Sequence, residues 1–369
     1  MTRPHRPQQK RITVSQIAAE LGISKMTVSR ALRGESVVAP ETRACVEKVA
    51  RRLQYRPNRL MRAVQTGRSR TVGVMVDPWN SFHSGVLGGI HRALAAHDYL
   101  PILHYPHQSI AVELGARDGS ELQYLHRLLD QRVDGIIFWP SDETIPDIYL
   151  KEVWDRGVPL VAVDRYLPAT HADFSGTDDA AGARLAAEHL LGLGHRRLAF
   201  IGAANISTYA DRQRAFEKRI AACRAATRLS VSCPSPVVAS RTTRAWHDGE
   251  RVPVHSDSLE VARELLQKKQ RPTAILCAND WMTLGVYAAA AEARLAIGRD
   301  LSVVGFADLR EASMLMPALT TIRQNADAIG MAAAELLLDR IEGRTTDKKP
   351  REMRQRPELV ERESTGPAS

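Results

Sequence analysis

From Thr71 onward the chain alternates short apolar runs with longer stretches rich in Ala and Leu, and that alternation restricts its fold more than any other feature. TVGVMV (71–76), LPILHY (100–105), GIIFW (135–139) and PLVAV (159–163) form one series. RLAFIG (197–202), a strand expected near PVVAS (236–240), TAILCA (273–278) and LSVVGF (301–306) form a second. Runs this short, bounded by turn residues and rich in Val and Ile, read as buried parallel strands, with helices between them. Two successive series predict an α/β body of two similar doubly wound parallel-sheet subdomains rather than one barrel. The repetition is architectural, since no tandem sequence repeat is visible.

In open α/β sheets ligands bind beyond the carboxyl ends of the strands. In the first series those ends carry Asp77-Pro78-Trp79-Asn80, Phe138-Trp139 and Asp164-Arg165. In the second they carry Asn205, Asn279-Asp280 and Ala307-Asp308. Aromatic rings beside amide, carboxylate and guanidinium groups suit a hydroxyl-rich small molecule better than a lipid. Taken singly, each polar residue is equally well explained as a turn or a helix cap. Polar groups at most of the strand ends together favour a cleft.

The first 70 residues are of a different kind. They hold 16 Lys and Arg against 4 Asp and Glu, a net +12, whereas the whole chain is +9 and the remainder therefore −3. A basic head on a mildly acidic body points to a nucleic-acid module joined to something else. Thr13-x-x-Gln16 is a capping box that opens a helix with Ile17, Ala18 and Leu21 on one face and Gly22 as its stop. Ser24 caps a second helix after a tight turn. At about 100° per residue, Lys25, Met26, Ser29 and Arg30 fall on one arc and Val28, Ala31 and Leu32 on the other. Pro40 starts a third helix with the stripe Val46, Val49, Ala50 and Leu53. This is the helix-turn-helix pattern, whose second helix presents its N-terminal residues to base edges in the major groove. Asn58–Gln65 spans about two helical turns, too short to be stable alone in water.

ITVSQIAAELGISKMTVSRAL, followed by YRPNRLMRAVQTGRSRTVGVMV, closely resembles the start of the lactose-repressor/galactose-repressor (LacI/GalR) family of bacterial transcription regulators. GARLAAEHLLGLGHRRLAFIG, CANDWMTLGV, DLSVVGF, PALTTIRQ and RPELVEREST resemble later segments of the same family, so the likeness runs from about residue 11 to the C-terminus. The resemblance implies a helix-turn-helix head on a periplasmic-binding-protein-like body. It places a disordered basic arm at 1–10, the head at 11–57, a hinge helix and linker at 58–69, and an effector-binding and dimerisation domain at 70–369. Within that body one subdomain takes about 70–175 and 325–352, the other about 177–323 and 354–364.

Carried over position by position, Lys25 and Met26 are the variable base-reading pair and Arg30 a third major-groove contact. Ser24, Thr27, Ser29 and Asn58 match phosphate-contacting positions, with Arg59 beside them. Val64 stands where the family wedges a leucine into the minor groove, a departure that shortens the wedge. Asp77, Phe138, Asp164, Arg212, Asn279 and Phe306 match effector-contacting sites, and the strand ends add Trp79, Trp139, Asp280 and Asp308. Many members carry an acid directly after the G-(F/Y) pair, but here that residue is Ala307, with Asp308 next. Arg212, freed of that partner, is expected to favour an anionic effector such as a sugar acid or phosphate.

The function expected is a ligand-responsive repressor, a homodimer on pseudopalindromic double-stranded DNA, with no cofactor, metal or catalytic residue. A cytosolic sugar-binding or sugar-processing protein with a basic N-terminal module is the alternative, and a transport-type binding protein a third reading. Against an enzyme, no activated nucleophile, paired carboxylates, phosphate loop or metal set stands out. His195 looks catalytic, but the family places it in a structural turn. Trp246-His247-Asp248 lies in a longer polar excursion without metal-like spacing. Cys45, Cys223, Cys233 and Cys277 show no C-x-x-C spacing and read as free thiols of a reducing compartment. No apolar run approaches the roughly 18 residues of a membrane span. The basic N-terminus leads into no apolar signal segment, so a cytoplasmic location is expected.

Overall fold

Residues 12–55, 67–78, 80–104, 120–140, 147–166, 172–202, 206–223, 227–232, 256–347 and 349–368 are described by the computed structural model of the chain, which divides into two units, 1–69 and 70–369. In the first unit α1 (Val14–Leu21), α2 (Lys25–Leu32) and α3 (Pro40–Arg52) follow the expected order. Thr13 N–H donates to Gln16 Oε1 at 2.8 Å, the return half of the capping box. Gly22 ends α1 at φ +64°, a left-handed conformation that costs a residue without Cβ little. Ser24 Oγ accepts Thr27 N–H at 3.0 Å to open α2. Ile17, Ala18, Val28, Ala31, Val38, Val46 and Ala50 make a small closed core. Such short helices persist because each buries one face against the others.

The second unit contains two six-stranded sheets. In chain order its elements begin β1 (Thr71–Met75), α4 (Ser81–Ala96), β2 (Leu100–Leu103), α5 (Ser120–Asp130) and β3 (Gly135–Phe138). There follow α6 (Asp147–Asp155), β4 (Leu160–Val163), β5 (Asp173–Thr177), α7 (Asp179–Gly192), β6 (Arg197–Gly202) and α8 (Ser207–Ala221). The chain continues through β7 (Thr227–Ser232), α9 (Ser256–Leu266), β8 (Ala274–Cys277), α10 (Asp280–Glu292) and β9 (Ser302–Ala307). It closes with a 3-10 turn (Arg310–Met314), β10 (Thr320–Arg323), α11 (Ala326–Ile341), β11 (Glu352–Gln355) and β12 (Glu358–Val360).

The first sheet runs β11-β5-β4-β3-β1-β2 and the second β12-β10-β9-β8-β6-β7. All described pairings in the first are parallel. In the second, only β12 runs antiparallel to its neighbour. Each sheet reverses its winding direction once, between β1 and β3 and between β6 and β8, and these are the switch points at which ligands bind in such folds. Two strands depart from the sequence expectation. β5, DFSGT, carries too little apolar character to stand out, yet every residue of it is buried. The strand beside β6 is Thr227–Ser232, ahead of PVVAS (236–240), which lies outside the described residues.

The chain passes between the two sheets three times, after β5, after β10 and after β11. α11 returns to the first sheet and lies on α4 at close range. A Cβ on Gly89 would run into the Asp327 carbonyl, and one on Gly330 into the Val86 carbonyl. Backbone therefore meets backbone there, and only glycine fits. Among the described residues no helix is long and apolar enough to cross a membrane. Gly330→Ala is expected to destabilise the body by about 1–3 kcal/mol, the usual cost of overpacking. The check is a lower urea midpoint with an unchanged slope.

Candidate functional site

The carboxyl ends of both sheets face one cleft. Asn80, Phe82, His83, Trp139, Asp164 and Arg165 line it from the first sheet's side. Thr208, Tyr209, Arg212, Asn279, Trp281, Phe306, Ala307 and Leu309 line it from the second, with Gln324 at the crossing between them. The two sides touch directly, since Tyr166 Oη donates to Asp211 Oδ2 at 3.3 Å and Arg310 N–H to Ser81 Oγ at 3.2 Å. Trp281 and Leu309, both from the second side, pack on the apolar cluster of the first.

Local structure explains how these side chains are held. Asn80 caps α4, its Oδ1 accepting the His83 N–H at 2.9 Å and the ring Nδ1–H of the same residue at 2.8 Å. An amide oxygen only accepts, so Nδ1 carries the proton of a neutral ring. Burial lowers the His83 pKa to about 4; Asp164 opposes that shift and Arg165 adds to it. The ring meets Trp139 edge-on, with centroids 4.9 Å apart. Trp139 Nε1 donates to Asp164 Oδ2 at 3.2 Å, and the Arg165 guanidinium lies 4.5 Å from the Trp139 ring centroid. On the other side Asn279 caps α10 through the Met282 N–H at 2.9 Å and donates Nδ2 to Tyr209 Oη at 2.5 Å.

Arg212 is the electrostatic centre. It is buried, its Nε donating to Asp179 Oδ1 at 2.7 Å and its Nη1 to the Ala278 carbonyl at 2.6 Å. The guanidinium carbon stands 3.7 Å from the Phe306 ring centroid. The expectation of an arginine without a partner is therefore corrected: Asp179, the first residue of α7, supplies the carboxylate that position 307 lacks. Burial raises the Asp179 pKa to about 7, and Arg212 offsets that only in part.

Asp164, Trp139, Arg212, Asn279 and Phe306 meet at the cleft wall; other expected residues do not. Phe138 is fully buried among Met75, Leu128 and Leu150, because alternation along β3 sends Ile136 and Phe138 to one face and Ile137 and Trp139 to the other. Asp280 is a buried internal brace, with Oδ1 accepting from Thr321 Oγ1 at 2.6 Å and Oδ2 from Leu309 N–H at 2.7 Å. Burial lifts its pKa to about 6, against the opposing hydrogen bonds from Thr321 and Leu309. Asp308 turns away to two arginines, Arg323 and Arg362, each at 2.7 Å. Asp77, partly buried after β1, is not among the cleft-lining residues. Trp79, Asn58, Arg59 and Val64 lie outside the described residues, as do Asn205 and Trp246-His247-Asp248. His83, Tyr209, Trp281 and Gln324 are additions that strand ends do not signal, although Trp281 and Gln324 lie within the resembling segments. His195 is structural, joining Thr273 Oγ1 and the Gly366 carbonyl at 3.0 Å each.

On the head, the outward arc of α2 is open. Lys25 and Arg30 are exposed and Met26 is 58% exposed, whereas Val28 and Ala31 are buried. Ser24 Oγ lies 2.8 Å from Thr27 Oγ1, and Ser29 Oγ accepts Arg33 Nη1 at 2.6 Å.

A helix-turn-helix head joined to a two-sheet body with a cleft at its switch points defines a ligand-sensing, DNA-binding type of protein. Consistent with that, the model for bacterial regulatory proteins of the lacI family matches residues 13–58. That for periplasmic binding proteins and the sugar binding domain of the LacI family matches 69–235, and a periplasmic binding protein-like domain matches 187–365. The chain belongs to the LacI family of bacterial regulators. It is 28% identical over 357 residues to the HTH-type transcriptional repressor PurR of Pectobacterium carotovorum, covering 95% of this chain and 96% of that protein. The PurR repressor of Edwardsiella ictaluri is 29% identical over 359 residues, with the same coverage of both. The lac repressor dimer bound to operator and the anti-inducer ONPF superposes with a TM-score of 0.75 at 25% identity, over 97% of this chain and 100% of that one. The transcriptional regulator CelR in complex with cellobiose gives a TM-score of 0.65 at 25% identity, over 96% of this chain and 100% of that one.

The Asp179 carboxyl sets a pH test. Its ordinary value is 3.8 and its folded value about 7, so between those limits the native state holds the extra proton. Its contribution to stability is complete below about pH 4 and is lost as pH rises through about 7. Urea denaturation at pH 5 and pH 8 is expected to show Asp179→Asn losing less stability over that interval than the wild type.

Proposed function

We propose that this protein is a ligand-responsive transcriptional repressor that binds a two-fold-symmetric operator as a dimer and releases or engages it according to what occupies the cleft. The observation that carries this reading is the coexistence, in one chain, of an outward DNA-reading arc on α2 and a cleft lined from both subdomains. A ligand that binds the cleft better at one degree of closure than at another shifts the body's conformation by that difference and no more. Linked to the head through residues 56–69, such a shift changes DNA affinity.

On the head, Lys25, Met26 and Arg30 read bases: the cations suit guanine O6 and N7, and the thioether an apolar contact such as a thymine methyl. Ser24, Thr27, Ser29 and Asn58 orient the domain on phosphates, and Arg59 and Val64 belong to the hinge that enters the minor groove. In the cleft, Trp139, Tyr209 and Trp281 offer aromatic surface to an apolar ring edge, and Phe306 backs the Arg212 guanidinium. Asp164, Asn279, Gln324 and Arg212 offer hydrogen bonds. That mixture supports a small carbohydrate-like effector, and the bound cellobiose of the CelR relative favours the same class. The Arg212–Asp179 pair removes the reason to prefer an anion over a neutral sugar.

The test is selection of duplexes from a random pool at fixed salt, then binding with and without a panel of neutral sugars and sugar acids. A two-fold-symmetric site is expected, with one class of ligand changing its affinity roughly 5- to 150-fold. Arg212→Ala is expected to abolish that response while leaving ligand-free DNA binding intact. Lys25→Ala should alter which bases are selected, whereas Ser24→Ala should weaken all duplexes alike. If the pool yields no enriched sequence, the repressor reading fails.

A further inference from the structure

Past the C-terminal end of α2, one carboxylate gathers two of the cations on the DNA-facing side. Glu35 Oε1 accepts from Arg33 Nε at 2.6 Å, and Oε2 lies 3.6 Å from Arg30 Nε. Arg33 also reaches back along the outward arc, donating Nη1 to Ser29 Oγ at 2.6 Å. The Glu35 backbone is itself anchored. Its N–H donates to the Arg30 carbonyl at 3.1 Å, and its carbonyl accepts from Val38 N–H at 3.2 Å and Arg43 Nη2 at 2.7 Å. Arg30 and Arg33 therefore converge on the carboxylate of a residue whose backbone the turn anchors, and Ser29 holds Arg33 from the other side.

Two guanidiniums around a pair of anionic oxygens are what a DNA phosphate asks of a protein surface. Resting on the reading of α2 as the DNA-facing helix, we propose that Glu35 is a tethered stand-in for a backbone phosphate. It occupies Arg30 and Arg33 in the free head and competes with DNA for them, and Arg33 is a phosphate-binding residue once released. Sequence-independent binding is almost wholly phosphate electrostatics, whereas a specific site adds base contacts. A competing carboxylate therefore weakens binding to any duplex by the cost of freeing the arginines it holds, and a mixed-sequence duplex reads that cost without base contacts. Arg30, Arg33 and Glu35 side chains remain 44%, 30% and 39% exposed, so these pairs contribute little to folding and can be altered without losing the head.

The experiment uses the full chain, a mixed-sequence 30-base-pair duplex and fluorescence anisotropy over a salt series, with circular dichroism to check the fold. Glu35→Gln is expected to bind about three- to tenfold more tightly at 0.1 M salt, with a salt slope steeper by about 1, the value of one added phosphate contact. Glu35→Ala should behave alike, and adding Arg33→Gln to Glu35→Gln should cancel the gain. Unchanged affinity in Glu35→Gln overturns the proposal. So does weaker binding, which would make Glu35 a prop that aims Arg33 at DNA. A wild-type chain that shows no salt-dependent binding to the duplex overturns the DNA-facing reading itself, a result visible before any variant is measured.

Discussion

Everything the body can do depends on three short passes of backbone between its two sheets, and on the hydrogen bonds that hold those passes to one another. Asp178 N–H donates to the Gln355 carbonyl at 2.9 Å, joining the first pass to the third. Gln324 Nε2 donates to Thr177 Oγ1 at 2.7 Å, joining the second to the first. Just upstream, buried Asp173 receives Arg340 and Arg351 together. Burial alone would raise its pKa, but the bonds from both arginines outweigh that and hold it below the ordinary carboxylate value. The two sheets are thus joined by a stitched strip, with Gln324 of that strip lining the cleft. Contacts such as Tyr166 to Asp211 and Arg310 to Ser81 tie the same two sides together across it.

The cleft wall is built largely by groups that pair with one another, although Trp281 Nε1 is buried without a hydrogen-bond partner among the described residues. Asn80 holds His83, Asp164 holds Trp139, Asn279 caps a helix and holds Tyr209, and Asp179 holds Arg212. Buried polar groups without partners are expensive, so a preformed site of this polarity has to be internally bonded before any ligand arrives. Aromatic faces and a few aimed polar atoms are what remain for recognition. The Arg212–Asp179 pair also shows why one missing acid is a weak guide to ligand charge: a carboxylate from a different helix fills the same electrostatic role.

The head works by the opposite economy. Its core is a handful of small apolar side chains, enough to hold three helices together, and the outward arc of α2 carries almost no structural duty. Lys25, Met26 and Arg30 are thereby largely free of packing duty, as the proposed base-reading role requires. Glu35, anchored by its backbone, is an acid placed beside Arg30.

Much of this was legible in residues alone. The capping box at Thr13, the αL stop at Gly22, the two-faced α2 and the doubled strand-helix series follow from local periodicity and backbone chemistry, which act over a few residues. The strand ends likewise pointed to Trp139, Asp164 and Asn279. β5 was not legible, because DFSGT is stabilised by partners far away in sequence: Asp173 by Arg340 and Arg351, Ser175 by the Ile329 carbonyl, Thr177 by Gln324. Phe138, Asp280 and Asp308 lie off the cleft wall for a related reason. Nearness to a strand end says that a residue is close to the cleft, but the pleat, the helix start and the arginines at 323 and 362 decide which way its side chain turns. Most element types, the basic head and the family likeness are readable from residues alone, since short-range pattern and charge carry them. Which polar groups meet, that Arg212 pairs with Asp179 and that Trp281 packs on the opposite subdomain become visible in the folded chain. Such pairings follow from where distant segments pack, and no local pattern encodes them.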